Sequence, residues 1–220
     1  QELRIGGGTD IRSKDSSKFN PEIQKSTDSE RYEKLGVAEI CCVGNMLIEG
    51  PFSQDGKIYG KRSREGYSNI LPLPENLKSP CSALAIPAAT KTLDSSKNVF
   101  PNIDAGDYVA DAQLIAQKFN LKNTGRVRIF LEDTPPDATN YILNLRTNHF
   151  ARATNLQIWY RGTKTIVVDE DTCAVIYAPD ATVQISSGKE FTGAIVANRI
   201  IVEGNSRLRF DKSLLSEVFF

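Results

Sequence analysis

The stretch from Cys173 to Leu214 matches itself when it is slid by nineteen residues. Ile176 then falls on Ile195, Ala178 on Ala197, Val183 on Val202, Ser187 on Ser206 and Phe191 on Phe210. The apolar residues between these identities keep register, and Gly or Asn closes the short runs. Each unit reads as two or three brief strands parted by tight turns. One unit is too short to bury a core, whereas a stack of them buries a continuous one. β-Branched and aromatic residues recur at short intervals and capping boxes are few, which favours an all-β chain over α/β. The strict six-residue spacing of left-handed β-helices does not hold between Ile176 and Ile201. The expected fold is therefore a right-handed or irregular β-solenoid (β-helix).

The same stretch carries a resemblance. Ile176-Tyr177-Ala178-Pro179-Asp180-Ala181-Thr182-Val183-Gln184-Ile185-Ser186, Phe191-Thr192-Gly193-Ala194-Ile195-Val196-Ala197, Val202-Glu203-Gly204-Asn205 and Phe210-Asp211 through Leu214 form its core. A looser continuation runs back to Val43, through Gly44-Asn45-Met46-Leu47-Ile48-Glu49-Gly50 and Ala105-Gly106-Asp107-Tyr108. The pattern resembles the C-terminal domain of bacterial minor-pilin-like surface proteins of type IV pilus and pseudopilus systems, where it closes a β-solenoid. The resemblance implies a structural or adhesive role on the cell surface, with pilus or filament subunits as partners. In that family an apolar helix precedes the solenoid, and this chain shows none. The glycine-rich turn usual after the first serine is here Ser187-Gly188-Lys189-Glu190.

Along the chain, residues 1–36 are rich in Ser, Asp, Lys and Gly and read as a polar N-terminal arm. A short helix over Ser29–Leu35 is expected, capped by Asp28 or Ser29 and stopped by Gly36. Residues 37–220 read as the solenoid domain. Val37–Val43 and Met46–Ile48 are expected strands with Gly44-Asn45 as a turn. Gln54-Asp55-Gly56-Lys57 reads as a tight turn before Ile58. The segment of about 61–101 holds Pro72, Pro74, Pro80, Pro87 and Pro101 and is expected to leave the solenoid wall as a loop. Asp111–Asn120 fits a helical face as well as a strand, and the flanking alternation favours strand. Strands are also expected over Val127–Leu131, Tyr141–Leu145, Leu156–Tyr160 and Thr165–Val168.

Lys plus Arg and Asp plus Glu both number 27, so the net charge is zero. That balance removes the electrostatic case for nucleic acid or an anionic membrane surface. The local run Lys61-Arg62-Ser63-Arg64 reads as a solvated loop. No apolar run approaches the ~18 residues of a membrane span, and Gln1-Glu2-Leu3-Arg4 does not open a signal peptide. A mature secreted chain would look like this, and so would a cytosolic one. Cys41, Cys42, Cys81 and Cys173 form no CxxC and fit no zinc spacing. Bridging of Cys41 or Cys42 to Cys81 and buried thiols both remain open.

No residue stands out as catalytic, metal-binding or cofactor-binding. The lone histidine, His149, has no nucleophile signature beside it. Acidic clusters at Glu132-Asp133, at Asp169-Glu170-Asp171, and at Asp104, Asp107 and Asp111 fit turns, whose backbone Asp bonds readily. They lack the EF-hand and nonapeptide calcium patterns. Paired carboxylates could serve glycoside hydrolysis, with Trp159 or Tyr160 as a sugar platform beside Asp169-Glu170-Asp171. In a strand those two rings face opposite ways, so one belongs to the core. Gly6-Gly7-Gly8 lacks the Lys-Ser/Thr of a phosphate loop. The apolar end, Leu214–Phe220, needs a covering surface: its own last coil, a cap or another subunit. The reading is a non-enzymatic extracellular scaffold, with a carbohydrate-binding or carbohydrate-active β-helix and a polymer-forming cytoskeletal solenoid as the alternatives. Self-association through the N-terminal arm or the open ends is expected.

Overall fold

A computed structural model of the chain describes residues 2–6, 8, 10–14, 40–49, 53–54, 58–62, 70–71, 91–93, 102–110, 120–121, 125–132, 140–143, 152–211 and 213–214. The strands are β1 (Glu2–Gly6), β2 (Asp10–Lys14), β3 (Ile40–Glu49), β4 (Ser53–Gln54), β5 (Ile58–Arg62), β6 (Ile70–Leu71), β7 (Lys91–Thr92), β8 (Asn102–Ile103) and β9 (Gly106–Ala110). They continue as β10 (Asn120–Leu121), β11 (Val127–Leu131), β12 (Asn140–Leu143), β13 (Leu156–Tyr160), β14 (Thr165–Val168), β15 (Thr172–Ile185), β16 (Glu190–Val202) and β17 (Arg207–Asp211). A 3-10 turn, Ala153–Asn155, precedes β13. Among the described residues there is no α-helix, and β-pairs run parallel, as in β13–β15 and β15–β16. Parallel neighbours need a crossover, and here the coil itself supplies it. The chain is a β-solenoid.

Two walls carry the stack. The first runs β7–β9–β11–β13 and then the leading halves of β15 and β16. Its inner row is Tyr108, Ile129, Ile158, Ile176 and Ile195, each the register partner of the next. The second wall joins β12, β14, the trailing halves of β15 and β16, then β1 and β3. Ile166, Val168, Val183, Ile185 and Val202 point from it into the same buried core. Alternation of apolar and polar positions at period two sends these side chains inward, and the parallel register stacks like on like.

The nineteen-residue offset holds on the first wall only. Ile176 pairs with Ile195 and Ala178 with Ala197, but beyond the corner Val183 pairs with Ile200 and Ile185 with Val202, an offset of seventeen. The cause lies in the corner. Pro179-Asp180-Ala181 turns β15, whereas Asn198 alone turns β16. Pro179 has no N–H to give a ladder and suits a place where pairing is interrupted. A two-residue change leaves every side chain on its original face, so the apolar self-match survives the slip. Phe191 likewise pairs with Leu208, not Phe210.

The opposite corner repeats more strictly. Ile185, Val202 and Ile5 are successive partners, and three residues after each stands a left-handed residue: Gly188 (φ 73°), Asn205 (φ 62°) and Gly8 (φ 77°). Glu190, Arg207 and Asp10 then restart the next strand as partners. The αL conformation is cheap for Gly and tolerated by Asn. At Gly8 a Cβ would also stand 2.5 Å from the Asn205 Oδ1, so the corners rest directly on one another.

Several expectations change. The first residues are not only a polar arm: Glu2–Gly6 and Asp10–Lys14 form a rung between β16–β17 and β3–β4. Gly44-Asn45 is not a turn. It lies inside β3, where the register slips between Cys42 and Asn45 as a bulge. The segment of about 61–101 is not a continuous excursion, because Lys61 and Arg62 end β5, and Ile70–Leu71 and Lys91–Thr92 are strands of the stack. The strands expected at Val127–Leu131, Leu156–Tyr160 and Thr165–Val168 are observed with those bounds. The expected helix over Ser29–Leu35 and residues 111–119 lie outside the described residues.

Candidate functional site

Strand alternation gives the first wall an outer row as well as an inner one. Val109, Phe130, Trp159, Tyr177 and Val196 are successive register partners and form one apolar cluster. Phe130 and Trp159 stack with centroids 6.5 Å apart and planes 17° apart, and Trp159 tilts 48° against Tyr177 at 4.9 Å. Such offset and tilted pairs suit the ring quadrupoles. Although the row faces away from the coil interior, Phe130, Trp159 and Tyr177 are only 4–6% exposed. The Trp159 indole N–H is buried with no acceptor among the described residues. Tyr160 points the other way, into the core, at 1% exposure. The two rings do take opposite faces. Neither offers the open stacking platform expected of a sugar site.

Beside this row lies Arg128, which joins Asp107 through two hydrogen bonds, Nε to Oδ1 at 2.6 Å and Nη2 to Oδ2 at 2.5 Å. Its guanidinium stands 5.8 Å from the Phe130 centroid. The Asp107 hydrogen bonds hold the Arg128 guanidinium above its ordinary range, against partial desolvation. The pair is about a quarter exposed, which limits its contribution to a few tenths of a kcal/mol up to about 1 kcal/mol. On the inner side, burial pushes the Tyr108 phenol up, and the Asp104 charge adds to it. The Tyr108 hydroxyl donates to the Asp104 carbonyl at 2.9 Å, and the Lys91 ammonium lies 5.8 Å from its ring centroid.

Two acidic corner residues, Asp171 and Glu203, reach the neighbouring rung. Asp171 Oδ1 accepts the Glu190 N–H at 2.8 Å, one rung away. Glu203 accepts Gln184 Nε2 at 2.6 Å and the Ser187 N–H at 2.9 Å. Ser187 Oγ donates to the Gly204 carbonyl at 2.8 Å, and Ser206 Oγ donates to the Ser186 carbonyl at 3.0 Å. These contacts fasten one turn to the next. The fully buried Asp211 accepts the Ala153 N–H at 3.0 Å and the Ser213 N–H at 3.1 Å. Asp211 therefore ties the 3-10 turn and the residues after β17 to the β16–β17 rung. Leu214 packs there with Ala153 and the buried Cys173 thiol, so the start of the apolar C-terminal stretch lies on the chain's own coil.

Among the described residues no group of three His, Cys, Asp or Glu side chains could hold a metal ion. Asp169, Glu170 and Asp171 occupy the corner between β14 and β15, whereas Trp159 lies within the first wall. Of Gly6-Gly7-Gly8, Gly6 ends β1 and Gly8 stands left-handed in the corner after it, whereas Gly7 lies outside the described residues. Cys41 and Cys42 lie in β3 as partners of Tyr59 and Gly60. His149, Asp111, Asp133, Cys81, Ser63, Arg64 and residues 215–220 lie outside the described residues. The sequence reading missed the outer aromatic row and the corner carboxylates' reach across rungs. Phe130, Trp159 and Tyr177 each sit one position after an inward isoleucine, and that spacing is their signal.

A family model matches residues 92–217, from the second residue of β7 to just beyond the last described residue; its description is Domain of unknown function (DUF7305). Neither the curated proteins nor the solved structures contain a significant match to the chain.

Proposed function

The chain belongs to this family of domains of unknown function, and we propose that it is a non-enzymatic scaffold of a bacterial surface filament. Its task on this reading is to present a stiff rod to protein partners of that filament, in the structural or adhesive role that its resemblance to minor-pilin-like proteins implies. The observation that carries the reading is how the polar side chains at the corners are used. Asp171, Gln184, Ser187, Glu203 and Ser206 bridge one turn to the next. Charge-assisted bonds of this kind stiffen a stack and leave the Asp171 and Glu203 carboxylates engaged with backbone N–H groups and the Gln184 amide instead of aimed at a substrate. The closed outer row of Phe130, Trp159 and Tyr177 speaks against a glycan groove on that wall.

Shearing filaments from the producing cells and probing them by immunoblot tests this. The protein should travel with the sheared fraction and leave it when the filament's secretion machinery is deleted. Recovery in the cytosol alone contradicts the reading.

A further inference from the structure

We propose that the rung β16–β17 is a docking edge for the N-terminal rung of a second copy, so that copies join head to tail. The inference deepens the scaffold reading and rests on it only for its purpose.

Along one path of partnered strands the order is β6–β5–β3–β1–β16–β15–β13–β11–β9–β7. From β7 to β16 the stack follows the chain, and from β1 to β6 it follows the chain again, in the same direction. One discontinuity remains among the described strands. β6 ends at one extremity, and β7, the next strand in sequence, begins at the other, nine strand steps away. At about 4.8 Å per step that separation is about 43 Å. Nineteen residues lie between Leu71 and Lys91, enough to cover at most about 65 Å when fully extended. A single copy can therefore close the joint, but only by returning along the whole stack.

Between copies no return is needed. If β1 and β2 of one copy add to β17 and the trailing half of β16 of another, each chain climbs in one direction from β1 to β17. The next copy then continues from there. The surfaces are different on the two sides, so the contact is heterologous and leaves both ends open, the condition for a filament.

The edge is built for such an addition. Glu2 to Ile5 pair with Arg199 to Val202, and Asp10 to Lys14 pair with Arg207 to Asp211, all parallel. These main-chain ladders continue the register of the rungs below, in the manner of strand addition to a sheet edge. The left-handed corner at Gly8 seats on Asn205, in line with Gly188. The family match ends at residue 217, with this rung as its last, and it takes in none of β1 to β6. The N-terminal rungs are thus an addition to the family unit, docked on its final edge.

Disulfide trapping on the full-length chain tests the joint. Asp10 and Arg207 are partners in β2 and β17, and parallel neighbours lie about 4.8 Å apart, inside the span a disulfide bridges. A D10C chain and an R207C chain, co-refolded in equal amounts and oxidised, should give a covalent dimer absent from either variant alone. The double variant should give a ladder of multimers whose share rises over a tenfold increase in protein concentration. The pair R4C and I201C repeats the reading on the other wall, so one poorly folding variant does not decide the result. A double variant that runs only as a closed monomer at every concentration, with no dimer from the mixed singles, overturns the proposal. Absence of any cross-link at both pairs does so too, because the edge would then be unoccupied. A surface location with no multimers would leave the scaffold reading standing and remove this one.

Discussion

Replacing Ile176 by Ala probes the inner row where it is most enclosed. The side chain is 0% exposed and is the register partner of Ile158 on one side and Ile195 on the other. Three carbons are lost, which at about 0.8 kcal/mol per methylene removes about 2.5 kcal/mol of transfer free energy. Main-chain ladders on both sides hold the neighbouring isoleucines at strand spacing, so the void cannot close, and its cost brings the total to about 3–4 kcal/mol. Ile176→Val loses one carbon and should cost about 1 kcal/mol. Val167→Ala, half-buried on the second wall between inward Ile166 and Val168, should cost below about 1 kcal/mol. Urea unfolding followed by fluorescence reads all three, because Trp159 is the only tryptophan and its ring lies 4.9 Å from that of Tyr177. Equal costs for Ile176→Ala and Val167→Ala would refute the assignment of an inner isoleucine row.

Other perturbations follow from individual contacts. Gly193 has φ 142°, and a Cβ there would overlap the Ala174 carbonyl oxygen; Gly193→Ala should cost at least about 3 kcal/mol. Gly188→Ala, with open space around it, should cost about 1–2 kcal/mol, and the two denaturation midpoints compare them. Asp211→Ala strips the acceptor from the buried Ala153 N–H and should cost about 2–3 kcal/mol, read in the same assay. The Tyr108 phenol is raised above its ordinary value of 10.0 by burial and by Asp104. Its contribution to stability is fully present below pH 10 and is lost as the pH climbs through that value toward the raised one, since the unfolded phenol ionises first. Alkaline unfolding should therefore be less steep in Tyr108→Phe than in the parent.

Much of the coil was legible because its signals are local. Period-two alternation at Val127–Leu131, Leu156–Tyr160 and Thr165–Val168 fixes strands and their inward faces within five residues. The nineteen-residue match found the correct partners at Ile176 and Ala178. It passed over the slip at Val183, because a two-residue deletion preserves facing and so hides in an apolar pattern. The N-terminal rung was missed for a different reason. Composition over 1–36 is polar, and the strand signal there is only Leu3 and Ile5, then Ile11, around three glycines. Aligning corners instead of strands would have found it. Ile5, Gly8 and Ile11 repeat Val202, Asn205 and Leu208. Which rung lies on which is a long-range matter, and β1 on β16 joins residues almost two hundred positions apart. Trp159 shows the same limit at a site. Alternation gives its face, but whether an outward ring is open or covered depends on tertiary structure.

The order and register of the stack can be measured as a distance. Lys91 is the partner of Tyr108, the row through Tyr108 ends at Ile195 five strand steps from Lys91, and Asn198 stands three residues farther along. Both Lys91 and Asn198 are exposed, so each accepts a nitroxide label in a doubly substituted K91C/N198C chain. Electron–electron dipolar spectroscopy on that chain, diluted with unlabelled protein, should give one distribution centred at about 25 Å, the separation set by five steps of parallel-strand spacing. A centre beyond about 40 Å, or a distribution without a maximum, would contradict the parallel coil on which the account stands.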